Sequence, residues 1–299
     1  MGGGRLPGDH GNPPGGDQAR AALREAVRRL ASAGVPSPDY DAAELLAHVL
    51  GTTRSRLVAV DGLSDAQAVK YAALVDRRAA REPLQHLTGT AAFRHLELAV
   101  GPGVFVPRPE TELLAGWAVH VAAEIAATGA TPVVVDACTG SGAIALSVAT
   151  EVPAAQVHAV ELAGDAFEWA ARNLAGSAVD LRHGDMATAF PDLDGRVDVV
   201  VCNPPYIPLE AFESVAEEAR DHDPAEALWS GQDGLAAMRV LEQVAHRLLR
   251  AGGVVGAEHA DVQGESAPAV FARSGRWHDV RDHSDLAGRP RYLTARLAR

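Results

Sequence analysis

Residues 133–162 read VVVDACTGSGAIALSVATEVPAAQVHAVEL. Val133–Ala137 is a short, β-branched, apolar run, as a strand buried on both faces requires. It carries Asp136 near its end and runs into a glycine-containing turn, Cys138-Thr139-Gly140-Ser141-Gly142. Ala143–Ala149 then opens a helix, and Val157–Leu162 is a second strand that closes on Glu161. Strand, glycine turn, helix, strand is the repeating unit of a parallel sheet with crossover helices.

The alternation continues downstream. Asp165–Ala175 reads as a helix, and Val179–Arg182 as a strand ended by Gly184-Asp185. Val197–Cys202 is a third apolar strand that runs into Asn203-Pro204-Pro205-Tyr206. A helix over Leu235–Arg250, a strand over Val254–Glu258, a helix near Ser266–Ser274 and strands near Trp277–Arg281 and Arg291–Ala298 complete the chain. This pattern predicts an α/β fold with an open, mostly parallel, doubly wound sheet. Such sheets bind ligands outside the carboxyl ends of their strands. Asp136, the glycine turn, Glu161, Asp185 and Asn203 all fall there, which packing alone does not explain.

Toward the N-terminus the periodicity changes. Ten of residues 1–16 are Gly or Pro, too little apolar surface to offset ordering entropy, so the reading is a disordered tail. Residues 17–82 read as a small helical domain. Ala22, Val27 and Leu30 mark a first helix ending near Gly34; Ser37-Pro38 caps a second, ending at Gly51. A short helix over Thr53–Ala59 follows, and Ser64-Asp65-Ala66-Gln67 is a capping box for another, to about Arg81. The domain carries no catalytic constellation, which suits a substrate-recognition role or a packing cap. Residues 83–109 read as a β-hairpin linker, with strands Leu84–Gly89 and Phe93–Val100, and residues 110–299 as the catalytic domain, entered by a helix from Glu110 to about Ala127.

Composition narrows the function. The chain has 299 residues, 47% of them hydrophobic, enough for two cores. No apolar run spans a membrane, and only Cys138 and Cys202 are cysteines, so the expectation is a reducing cytoplasm without disulfides. No Cys/His cluster has metal-ligand spacing. The net charge is -12: residues 1–82 carry 11 basic and 10 acidic residues, the remainder 16 against 29. So acidic a catalytic domain argues against direct nucleic-acid binding.

The strand ends carry the chemistry. Thr139 to Gly142 let the backbone approach a ligand closely, but without a third glycine or a following Lys they make no phosphate loop. Glu161, about 20 residues on, is where a carboxylate accepts from ribose hydroxyls. Asp185 is placed to accept from an exocyclic amine such as that of adenine. At the fourth strand end the prolines stiffen the corner, and the Asn203 oxygen and Pro204 carbonyl are two acceptors for the hydrogens of one -NH2 group. Tyr206 can lie on the flat face of that group. An adenosine site without a pyrophosphate cradle, beside an amine grip, implies methyl transfer from S-adenosylmethionine to nitrogen.

Several segments carry a resemblance. "DACTGSGAIALS" (136–147) resembles the first motif of class I, Rossmann-like methyltransferases, and "NPPY" the motif of amino-methyltransferases of adenine and glutamine. "REPLQHLTG" (81–89), "VPRPETE" (106–112), "DPAEALWSGQDGL" (223–235) and "DLAGRPR" (285–291) are similar to the PrmC/HemK family, which methylates N5 of a glutamine in peptide chain release factors. The resemblance runs from about residue 20 to the end. It implies S-adenosyl-L-methionine as cofactor and S-adenosyl-L-homocysteine as product. It assigns Asp136 and Cys138–Gly142 to the methionine and ribose part, Glu161 to the ribose, and Asp185 with Met186 to the adenine, and it counts Asn203 among the cofactor-binding residues as well. Asn203 to Tyr206 would hold the Gly-Gly-Gln loop glutamine, with Phe93 walling that pocket. Cys138 stands where Gly is common, Glu161 replaces the more usual Asp, and Met186 replaces an aromatic, so these three bear on cofactor affinity.

Three rivals share parts of this reading. A DNA or RNA adenine N6-methyltransferase would use the same grip, against the acidic charge. A non-catalytic adapter would bind release factor or ribosome through the helical domain. A glutamine in another protein, such as a ribosomal protein, would suit the same chemistry.

Overall fold

The computed structural model describes residues 14–60, 62–210 and 217–298. They form two compact units, divided between Thr88 and Gly89.

The first unit is helical. Helix α1, Pro14–Ser32, begins earlier than the sequence suggests. Pro14 occupies its first position, where a fixed φ and a missing N–H do no harm, so residues 14–16 are helical rather than disordered. The rest of the expected tail lies outside the described residues. Helix α2, Pro38–Leu50, ends on Gly51 in the left-handed region, whose N–H reaches the Ala47 and His48 carbonyls. Ser37 precedes it but makes no side-chain capping bond. A 3-10 turn spans Arg54–Ala59. Helix α3, Asp65–Ala79, opens with the expected capping box: Gln67 N donates to Ser64 Oγ at 3.3 Å, and Ser64 N to Gln67 Oε1 at 2.9 Å.

Leu84–Gly89 is not a strand. Leu84–Thr88 is a helix, α4, because Leu84 and Leu87, one turn apart, both bury in the first unit's core, and Gly89 then leaves it at φ 80°. Leu30, Leu45, Leu46, Tyr71 and Leu74 fill the same core. Within it Arg78 Nε donates to Asp41 Oδ2 at 2.7 Å, with the two side chains 4% and 8% exposed. Removing Asp41 takes the carboxylate away from a buried guanidinium, which also donates to the Glu82 carbonyl at 2.9 Å. Asp41→Ala is expected to destabilise this unit by about 3–5 kcal/mol, read from urea unfolding of the whole chain, whereas an apolar replacement of both partners recovers most of the loss.

The second unit opens with a tight hairpin, β1 (Thr90–Phe93) and β2 (Leu96–Ala99), with Phe93 opposite Leu96. The expected strand Phe93–Val100 therefore contains the turn. Arg94 takes φ 52°, and its guanidinium forms a bidentate pair with Glu151, at 2.7 Å for both bonds, which holds that conformation. Helix α5 runs Thr111–Ala127. Then come β3 (Val133–Asp136), α6 (Ala143–Glu151), β4 (Gln156–Glu161), α7 (Gly164–Leu174), β5 (Asp180–His183) and β6 (Val197–Cys202). Short helices α8 (Glu217–His222) and α9 (Ala225–Leu228), absent from the sequence reading, precede α10 (Ala236–Leu248), β7 (Leu249–Glu258), α11 (Ser266–Arg273), β8 (Trp277–Ser284) and β9 (Pro290–Leu297).

The main sheet has the order β5-β4-β3-β6-β7-β9-β8. The first five strands pair in parallel; β9 pairs antiparallel with β7 and β8. This is the mostly parallel, doubly wound sheet of the sequence reading, with an antiparallel edge. Every residue of β6 is buried, and from Val199 onward its side chains alternate between two cores. Val199 and Val201 join α5 and α6 on one face. Val200 and Cys202 join α10 and α11 on the other. Strand order reverses between β3 and β6, so the crevice of such a fold opens at their carboxyl ends.

Candidate active site

A cavity of 540 Å³ lies at that crevice, within the second unit. Strand ends supply its wall: Cys138 to Ser141 after β3, Glu161 at the end of β4, Asp185 and Met186 after β5, and Asn203, Pro205 and Tyr206 after β6. Phe93, fully buried at the end of β1, closes one side. Eleven of the fourteen residues singled out from sequence thus share one cavity.

Three do not reach the wall, each for a physical reason. Asp136 is fully buried behind the glycine turn; its Oδ2 accepts from Thr139 Oγ1 at 2.7 Å and from Ala145 N at 3.2 Å. Through Oδ2 it braces the turn, while its buried Oδ1 has no hydrogen-bond partner among the described residues. Burial pushes its carboxyl up to about 7. Gly142 faces protein: a Cβ there would stand 3.2 Å from Leu174 Cγ, and φ is 85°. Pro204 is buried and stiffens the corner.

The side of the cavity expected to take adenosine is built from backbone and carboxylates. Gly140 holds φ 56°, and a Cβ on it would meet no protein atom within 4 Å, so the glycine keeps open space at the cavity wall. Glu161 Oε2 accepts from Gly140 N at 2.8 Å and Oε1 from Ala163 N at 2.9 Å. These bonds fix the carboxylate and leave each oxygen a further lone pair. Asp185 Oδ1 accepts from Ala187 N at 2.9 Å, which orients it similarly. Met186 Sδ lies 3.8 Å from Cys138 Sγ. Glycine space, a ribose-type carboxylate and a second carboxylate beside a thioether fit S-adenosylmethionine. Both cysteines are free, and burial holds the Cys202 thiol well above its ordinary range.

The amine side contains residues the strand-end reading passed over. Asn203 Nδ2 donates to Thr111 Oγ1 at 3.3 Å, which leaves the Asn203 carbonyl oxygen as an acceptor. Thr111 Oγ1 donates to Glu258 Oε2 at 2.7 Å. Tyr206 OH donates to Glu258 Oε1 at 3.1 Å, and Gln263 Nε2 to the Tyr206 carbonyl at 3.0 Å. Gly234, at φ 73°, packs so closely that a Cβ would stand 2.4 Å from the Tyr206 carbonyl oxygen. Ile207 is clamped by Leu228 and Ser230, with its N–H on the Leu228 carbonyl at 2.8 Å and its carbonyl on the Ser230 N–H at 3.0 Å. At the rim Arg108 Nη2 donates to Asp223 Oδ2 at 2.9 Å, and the guanidinium lies 4.9 Å over the Phe105 ring. The same strand-end rule points to Glu258, which closes β7. Thr111 and Asp223 have no such signal.

Family models match both units: a PrmC N-terminal domain over residues 21–89 and a methyltransferase domain over residues 134–222. The chain is 59% identical to the release factor glutamine methyltransferase of Streptomyces coelicolor, across 93% of this chain and 98% of that protein. It belongs to the release factor glutamine methyltransferase family. The corresponding protein of Mycolicibacterium smegmatis is 47% identical across 94% of this chain and 98% of its own. A methyltransferase structure from Pyrococcus furiosus, 19% identical, superposes with a TM-score of 0.51 over 75% of this chain and 100% of its own, which shows the shared fold. Membership makes the second unit an enzyme of methyl transfer. In the structure Arg108 of "VPRPETE" (106–112) pairs with Asp223 of "DPAEALWSGQDGL" (223–235), and Thr111, where α5 begins, is tied to Glu258 at the end of β7. Among the described residues no helix is long and apolar enough to cross a membrane.

Proposed function

We propose that this protein transfers a methyl group from S-adenosylmethionine to the side-chain amide nitrogen of the glutamine in the Gly-Gly-Gln loop of peptide chain release factors. The observation that carries the reading is the Asn203 amide, held at its donor end by Thr111 and left to accept at the wall of the cavity that the glycine turn and Glu161 also line.

When bound, S-adenosylmethionine supplies an activated methyl on a sulfonium, and S-adenosylhomocysteine remains after transfer. Glu161 holds the ribose hydroxyls, Asp185 accepts from the adenine amine, and Met186 gives a soft surface to the ring in place of an aromatic face. An amide nitrogen is a poor nucleophile because its lone pair is delocalised. Asn203 Oδ1 accepts one N–H of the substrate amide and so fixes the direction of the nitrogen. The Pro204 carbonyl is the second acceptor of this scheme; with Pro204 set beneath the wall, most of the grip rests on Asn203. Polarising the N–H bond raises electron density on nitrogen as positive charge develops there. Tyr206 and Phe93 confine the flat amide group, and alignment contributes the rest. As the N–C bond forms the methyl–sulfur bond breaks, and the amide proton then leaves nitrogen for water. The helical unit, matched by the PrmC N-terminal domain, serves recognition of the protein substrate, and the activity belongs in the cytoplasm, where release factors act.

Transfer from methyl-labelled S-adenosylmethionine tests this reading. Label is expected in a release factor of the same organism, and not in one whose loop glutamine is replaced by asparagine, nor in duplex DNA. Label in the DNA instead would favour adenine methylation.

A further inference from the structure

We propose that Glu258 is a positioning residue whose carboxylate sets the direction of the hydrogen-bond chain from Asn203 through Thr111, and so keeps the Asn203 carbonyl oxygen turned toward the amine substrate. This rests on Asn203 being the grip, as proposed above.

The direction follows from the donor inventory. A carboxylate only accepts. Thr111 has one hydroxyl hydrogen, and Glu258 Oε2 takes it at 2.7 Å. Thr111 Oγ1 then has only lone pairs to offer, so the Asn203 amide must turn its -NH2 end to Thr111 and its oxygen elsewhere. Were Glu258 replaced by a group that accepts nothing, the Thr111 hydrogen would be free to bond the Asn203 oxygen. The amide would then rotate, its -NH2 would face the substrate -NH2, and donor would oppose donor.

The surroundings of Glu258 fit this role better than a packing role. Glu258 is 1% exposed at the end of β7. Among the described residues no basic side chain forms an ion pair with it; its oxygens are held by two hydroxyls, those of Thr111 and Tyr206. Both belong to residues of the amine side of the cavity. A buried carboxylate is costly, and an apolar residue would fill the same space at lower cost. Its energetic return lies in what the two hydroxyls orient. The charged and titratable groups facing it are Tyr206 after β6, Arg291 on β9 and Glu110 before α5. Arg108, paired with Asp223, acts on Tyr206 in turn.

Burial raises the Glu258 carboxyl to about 6. Above that pH it accepts both hydroxyls. Below it, the added proton competes for one of them and the chain loses its fixed direction, so kcat falls as pH drops through about 6. Asp223 is also raised, to about 6, and Asp136 to about 7, so the assignment needs the variant rather than the profile alone.

The test compares Glu258→Met, Thr111→Val, Thr111→Ser and wild type with a release factor as substrate, alongside S-adenosylmethionine affinity by calorimetry and thermal unfolding. Glu258→Met and Thr111→Val are expected to lower kcat by about 10- to 100-fold. Cofactor affinity and unfolding temperature should hold, and Thr111→Ser should restore most of the rate. The acid limb near pH 6 should weaken in Glu258→Met. Wild-type kcat in Glu258→Met, an unchanged acid limb, or a Thr111→Ser variant no better than Thr111→Val would overturn the proposal. Failure of the wild type itself to methylate the release factor would instead bring down the proposed function, and this inference with it.

Discussion

Replacing Asn203 with alanine lowers kcat by about 10²- to 10³-fold and leaves S-adenosylmethionine affinity close to wild type. The side chain contributes one acceptor to the cavity wall, and that acceptor matters most when the substrate nitrogen is becoming positive. Alanine removes it without touching the glycine turn or Glu161, which lie on other strand ends. The fold should survive, because the adjacent strand β6 is buried throughout by its own valines and Cys202, and the Asn203 bond to Thr111 is a long one at 3.3 Å. Single-turnover kinetics with saturating cofactor isolates the effect. A variant that turns over normally would mean that the amide nitrogen is held by other groups. A variant that loses cofactor affinity as much as rate would mean that Asn203 serves the cofactor.

The second large effect lies at the end of β4. Glu161→Ala removes the acceptor for the ribose hydroxyls and also frees the Gly140 and Ala163 N–H groups. Hydrogen bonds to a charged group contribute about 1.5–3 kcal/mol each, so losing two weakens S-adenosylmethionine binding by roughly two orders of magnitude or more. Calorimetric titration reads it directly. Glu161→Asp keeps the charge and should stay within about tenfold of wild type, because the shorter side chain lengthens bonds without abolishing them. Equal losses in both variants would show that the carboxylate acts on the loop backbone rather than on the ribose.

The sequence made β6 and the strand ends legible for one reason: a strand buried on both faces is a run of apolar β-branched residues, and its end is marked by the first glycine, proline or acid. That rule places Glu161, Asp185 and Asn203 at one cavity without any knowledge of the sheet order. It does not tell that Asp136 lies behind the wall, because a strand-end acid can face inward to brace its own turn as readily as outward to a cavity. The helix Leu84–Thr88 is hidden for a related reason. Five residues carry too little periodicity to separate a short helix from a strand, and burial in the first unit's core decides. The Asn203–Thr111–Glu258 chain is less visible still. Thr111 and Glu258 are separated by 147 positions, and only the packing of α5 against β6 and β7 brings them together. No local pattern encodes that contact, although Glu258 itself ends a strand that the sequence displays.

Peptide mass spectrometry of a release factor incubated with this protein and S-adenosylmethionine tests the central claim most directly. The proposed function requires one added methyl on the side chain of the loop glutamine, fragment ions that place it on the amide nitrogen, and its absence from a reaction with the Asn203→Ala protein at equal time. A methyl on any other residue, or none on that glutamine while S-adenosylmethionine remains bound, would contradict it.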